Sequence, residues 1–138
     1  ARTIGLEVSP ALRKLLSAQR LKTGGKGSVF GLTRDEADAA MKRLKAQYGA
    51  PDAAGWQMLR RTTATYLCNA PGIYGAASPF MESRQLGHSV IVAEKHYAGL
   101  LRGIPIEAKT LEAAMQIEVE AAQLIESIVA PARHLAAV

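Results

Sequence analysis

Apolar positions along this chain recur mostly every three to four residues, the period of an α-helix, and the pattern is broken at Gly, Pro and small polar residues. After Ser9-Pro10, Leu12, Leu15 and Leu16 share one face while Arg13, Lys14 and Arg20 lie elsewhere. Residues 10 to 21 are therefore predicted to form an amphipathic helix, with Ser9 as N-cap and proline at the first helical position. Thr33 followed by Glu36 is a capping-box signature, and Ala37, Ala40, Met41, Leu44 and Tyr48 continue it as a second helix that Gly49 stops. Residues 56 to 69 read as a third helix with Leu59, Thr63, Tyr66 and Leu67 on one side, ended by Asn69-Ala70-Pro71-Gly72. Ser78-Pro79 opens a short helix through about Leu86, with Gly87 as a left-handed terminator. Residues 90 to 100 fit another short helix, although Val90-Ile91-Val92 also permits a strand.

The two ends of the chain read differently. Thr3 to Val8 alternates weakly and is bounded by Ser9-Pro10, the pattern of a short strand feeding a helix. Beyond Pro105, residues 107 to 129 read as one long helix of roughly 34 Å, with Leu111, Met115, Ala122, Ile125 and Val129 near one stripe. Ile117, Val119 and Leu124 widen its apolar surface, so it needs a partner, either this chain's own core or a neighbouring subunit. An alanine-rich tail after Pro131 is expected to fray. The expected fold is mainly α with a short N-terminal β-strand remnant, organised as residues 1–103 and a C-terminal helix and tail over 104–138.

Composition narrows the class. The length of 138 residues and an apolar share of 49% suffice for one domain with one core. The net charge of +5 is unevenly spread: residues 1 to 61 hold 12 basic and 5 acidic side chains, residues 62 to 138 hold 5 and 7. A polyanion would therefore meet the first half. Cys68 is the only cysteine, which excludes an internal disulfide and favours a reducing compartment. No stretch has the length and apolarity of a signal peptide or membrane span, so a cytoplasmic, non-membrane protein is expected. The chain starts at Ala1 and runs almost at once into the strand-like segment, as the remainder of a longer protein would.

Chemistry-bearing residues cluster late. Lys22-Thr23-Gly24-Gly25-Lys26-Gly27 has the glycines of a phosphate-binding loop but lacks its Gly-Lys-Ser/Thr ending, so it is read as a connector. More informative is Leu59-Arg60-Arg61-Thr62, followed 28 residues after Arg60 by His88 within Leu86-Gly87-His88, and nine residues later by Tyr97. Taken singly, each has a bland reading: a solvated helix arginine, a cap after a helix, a packing tyrosine. Together their order and spacing resemble the active-site half of a tyrosine recombinase, or phage integrase. There a His-x-x-Arg motif is followed by Leu-Gly-His and then, nine residues on, by the nucleophilic tyrosine. The resemblance spans most of residues 1 to about 102 and is strongest from Trp56 to Leu101.

The resemblance implies site-specific DNA recombination or integration, an enzyme activity on double-stranded DNA that uses no cofactor and no metal. Arg60 would grip nonbridging phosphate oxygens with its fork of donors. Tyr97 would attack phosphorus to form a phosphotyrosyl intermediate. His88 would donate a hydrogen bond to the scissile phosphate. Gln57 stands where the family has the first histidine; one turn from Arg60, it can donate a hydrogen bond but exchanges no proton near neutral pH. The family's first catalytic Arg and its Lys fall upstream of Ala1, so the isolated chain is expected to be inactive or nearly so. Homo-oligomerisation on DNA through the C-terminal helix is also expected. The alternative is a non-catalytic DNA-binding or assembly module that keeps the fold, with Gln57 as the trace of lost chemistry.

Overall fold

The computed structural model describes residues 5–74, 78–87, 89–97 and 101–135, the last six of these as backbone. Eight helices follow one another: α1 (Pro10–Thr23), α2 (Arg34–Tyr48), α3 (Trp56–Asn69), α4 (Pro71–Tyr74), α5 (Pro79–Leu86), α6 (Val90–His96), α7 (Leu111–Met115) and α8 (Glu118–Leu135). Local chemistry sets most boundaries. Ser9 Oγ accepts from the Leu12 N–H at 3.2 Å with Pro10 behind it, and Gly24 closes α1 at φ 62°. Thr33 and Glu36 form the reciprocal box that begins α2. The Thr33 N–H donates to Glu36 Oε2 at 2.8 Å and the Glu36 N–H to Thr33 Oγ1 at 3.3 Å, contacts that hold the Glu36 carboxyl below its usual range. Gly87 terminates α5 at φ 74°, a conformation that costs a Cβ-bearing residue steric strain.

Three expectations are corrected. The β-strand remnant over residues 3 to 8 is absent from the described part: residues 5 to 8 form a bend and turn, with the Ser9 N–H on Leu6 O at 3.3 Å, while Thr3 and Ile4 lie outside the described residues. A strand needs a neighbouring backbone, and here the partner is a side chain. The Gly5 N–H donates to Gln85 Oε1 at 3.0 Å and Gln85 Nε2 returns a bond to Gly5 O at 2.7 Å. The long helix over 107 to 129 is likewise two helices. Gln116 adopts φ 58° and ends α7, so that α7 faces α3 while α8 turns to lie along α1. At the other end α8 continues through Pro131 to Leu135, where a fraying tail was expected.

The interior is narrow and rich in alanine. Ala70, Ala108 and Ala114 are buried together, with Tyr66, Ile73, Ile104 and Ala113 packed around them. Small side chains let backbones approach closely: a Cβ on Gly72 would lie 2.3 Å from Ala108 O and 2.7 Å from Ile106 O. The segment after residue 104 thus supplies part of the same cluster as α3 and α4. It is also tied to the start of α1, because the Leu111 N–H donates to Val8 O at 2.7 Å and the Glu112 carboxylate caps α1 from outside it. No helix among the described residues is long and apolar enough to cross a membrane.

Candidate active site

α3 is the element around which the candidate residues are arranged. Its first turn has no side-chain cap at Gly55, and its start is fastened to α2 by the Trp56 indole N–H, which donates to Asp38 Oδ1 at 3.0 Å. Ala64, Leu67 and Cys68 point inward, so α3 is held by its middle and end. Gln57 and Arg60 sit one turn apart on its exposed N-terminal part. Arg60 does not dangle in solvent. Its Nη2 donates to the backbone carbonyl of Leu86 at 2.6 Å, at the last residue of α5 and one residue before Gly87. A guanidinium carries five N–H donors in one plane, so this bond orients the group and leaves other donors for an anion.

The expected histidine, His88, lies outside the described residues, between the left-handed Gly87 and Ser89, whose side chain caps α6 by accepting from the Val92 N–H. Tyr97, expected on a helix over residues 90 to 100, is the C-cap of α6, which ends at His96; it sits at φ −127° and ψ −27°, half-buried. Residues 98 to 100 lie outside the described residues. The Tyr97 N–H donates to Ala93 O at 2.9 Å, and its carbonyl accepts from Asn69 Nδ2 at 2.6 Å. Its ring lies at 57° to that of His96, with centroids 6.3 Å apart.

The structure therefore joins Arg60 to the end of α5 and Tyr97 to the end of α3. It does not place guanidinium and phenol in one hydrogen bond. Arg60 and Asn69 are nine residues apart on α3, roughly 13.5 Å along the axis. Asn69 and the Leu86 carbonyl are the participants that sequence reasoning missed. Asn69 looked like part of a helix stop, and a backbone carbonyl has no residue-type signature.

Glu82, in the first turn of α5, is fully buried. Burial, reinforced by Glu82 and then Glu94, pushes the Cys68 thiol up to about 11. Burial, with Glu7 and Glu82 adding to it, pushes the Tyr74 phenol up to about 12. Neither group is activated as a nucleophile. Among the described residues no cluster of three His, Cys, Asp or Glu side chains is placed to hold a metal ion.

Comparison with protein-family models, with curated proteins and with solved structures returns no match.

Proposed function

We propose that this chain is the C-terminal part of the catalytic domain of a site-specific tyrosine recombinase, with Tyr97 as the nucleophile that breaks and reforms a DNA phosphodiester. The observation that supports it most is that α3 organises both halves of the motif. Arg60 on its exposed turn is braced against the end of α5, and its last residue holds the Tyr97 backbone. In the reaction Tyr97 Oη attacks phosphorus and forms a phosphotyrosyl ester, while the leaving sugar oxygen departs and takes up a proton. Attack by that hydroxyl reverses the step and frees the phenol, so the bond energy is conserved. Arg60 offsets the charge gathering on the nonbridging oxygens, and Gln57, one turn away, adds a neutral donor. The excess of basic side chains in residues 1 to 61 supplies sequence-independent attraction for duplex phosphates.

The family's other arginine and its lysine have no counterparts at the corresponding places in residues 1 to 138. A single charge-stabilising donor is worth about 10²- to 10³-fold in rate, so the 138-residue chain alone binds DNA and cleaves it very slowly. The test is a nicked duplex, which traps the covalent adduct by letting the released strand diffuse away, incubated with the full gene product. The adduct is expected with the natural sequence and absent from Tyr97→Phe, with DNA affinity unchanged. An adduct that persists in Tyr97→Phe removes the assignment. A second reading, a DNA-binding or assembly module without chemistry, is favoured by one observation: a glutamine rather than a histidine at position 57. Under that reading the full product binds duplex DNA in a salt-dependent way and yields no adduct.

A further inference from the structure

We propose that Asn69 is a positioning residue for Tyr97, fixing the nucleophile's backbone to the helix that carries Arg60; this rests on the recombinase reading of Tyr97. The local chemistry makes the contact specific. A helix end leaves carbonyls without intrahelical partners, and Tyr97, as the C-cap of α6, presents one of them. Asn69 Nδ2 has two hydrogens, and both are committed: one to Thr65 O at 2.8 Å, one turn back on its own helix, and one to Tyr97 O at 2.6 Å. The first bond holds the amide rigid, so the second acts as a bracket. Both donor and acceptor are partly buried, which limits competition from water.

The Tyr97 peptide is thereby held on both sides. Its N–H is bound to Ala93 within α6, and its carbonyl to α3. The bond to Asn69 sets the backbone point from which the Tyr97 side chain extends relative to α3. Loss of the bracket removes the bond that ties the Tyr97 carbonyl, at the end of the 7-residue α6, to α3. A nucleophile misplaced by about 1 Å loses about 10²-fold in rate. Asn69 lies at the far end of α3 from Arg60, so its removal should not weaken phosphate binding.

The chain labelled with 3-fluorotyrosine gives one ¹⁹F resonance for each of Tyr48, Tyr66, Tyr74 and Tyr97, and the Tyr97 signal is identified by its loss in Tyr97→Phe. In Asn69→Ala, and in Asn69→Asp, which has the same size but no donor when ionised, the Tyr97 signal is expected to move toward its position in the denatured chain while the Tyr48 signal stays. Asn69→Gln, which keeps an N–H donor, is expected to move it part of the way back. Should Asn69→Ala fail to fold, the Asp and Gln pair decides. A Tyr97 resonance identical in wild type and Asn69→Asp overturns the proposal. On the nicked duplex, the full product carrying Asn69→Asp should form adduct about 10²-fold more slowly at unchanged DNA affinity; an unchanged rate also overturns it. Absence of adduct from the natural sequence counts against the strand-cleavage reading itself, and the fluorine shifts then decide whether Asn69 sets the Tyr97 backbone.

Discussion

Replacing Glu112 by alanine tests how the C-terminal part of the chain is fastened to its beginning. Glu112 is 8% exposed, and its Oε1 receives two hydrogen bonds from the start of α1: one from Ser9 Oγ and one, at 3.1 Å, from the Ala11 N–H. Ser9 Oγ in turn accepts from Leu12, so the carboxylate, the cap and the first turn of α1 form one relay. A hydrogen bond to a charged group contributes about 1.5–3 kcal/mol, so the pair is worth about 3–6 kcal/mol gross. Against this stands the cost of burying the carboxylate, whose Oε2 has no hydrogen-bond partner among the described residues; alanine recovers part of that cost. A net loss of about 2–3 kcal/mol is expected for Glu112→Ala. With a urea dependence of about 2 kcal/mol per molar, the midpoint falls by about 1–1.5 M. Glu112→Gln keeps an acceptor without the charge and should lose about half as much, since charge-assisted bonds are roughly twice as strong as neutral ones. Combined with Ser9→Ala, Glu112→Ala should be non-additive by about 1 kcal/mol. A loss below about 0.5 kcal/mol, or strict additivity with Ser9→Ala, would refute the relay.

Two further outcomes follow from packing and burial. Gly72→Ala places a methyl group 2.3 Å from Ala108 O, where backbone and not a flexible side chain must yield, so a loss of about 1–3 kcal/mol is expected in thermal melts; an unchanged melting temperature would deny the close approach. The Cys68 thiol, pushed up to about 11 by burial from an unfolded value of 9.0, stays protonated in the folded chain at pH values where the unfolded chain has lost its proton. Its contribution to stability is fully present below about pH 9 and is lost as pH rises toward about 11. Urea midpoints at pH 8 and 10.5 should fall further in the natural chain than in Cys68→Ala, and equal falls would contradict it.

Elements whose ends are set by adjacent side chains were legible in the sequence. Thr33 with Glu36, Ser9 with Pro10, and Gly49 and Gly87 at left-handed positions each carry their own local cause, and each helix boundary they mark is where it was expected to within a few residues. What required tertiary structure was not legible. The alternation from Thr3 to Val8 looks like a strand until Gln85, 80 residues away, turns out to take the backbone partner's place at Gly5. The period-3.6 stripe beyond Glu107 continues across Gln116 because the apolar spacing of α7 and α8 happens to match. The break follows from each helix packing on a different partner, a choice local spacing does not encode. At the candidate site, Arg60 and Tyr97 were marked by their spacing. Asn69 was not, because a helix-terminal asparagine usually serves its own helix end, and here its second hydrogen serves a residue 28 positions away.

The pairing of Gln85 with Gly5 has a mechanical side. Gln85 grips the incoming chain through its side chain, and the next residue, Leu86, holds the Arg60 guanidinium through its carbonyl. A pull or a twist on the polypeptide at Gly5 is therefore delivered one peptide unit away from the oxygen that aims the guanidinium. The end of α5 is thus a single short hinge of contacts, with the front of the chain on one side and the Arg60 guanidinium on the other.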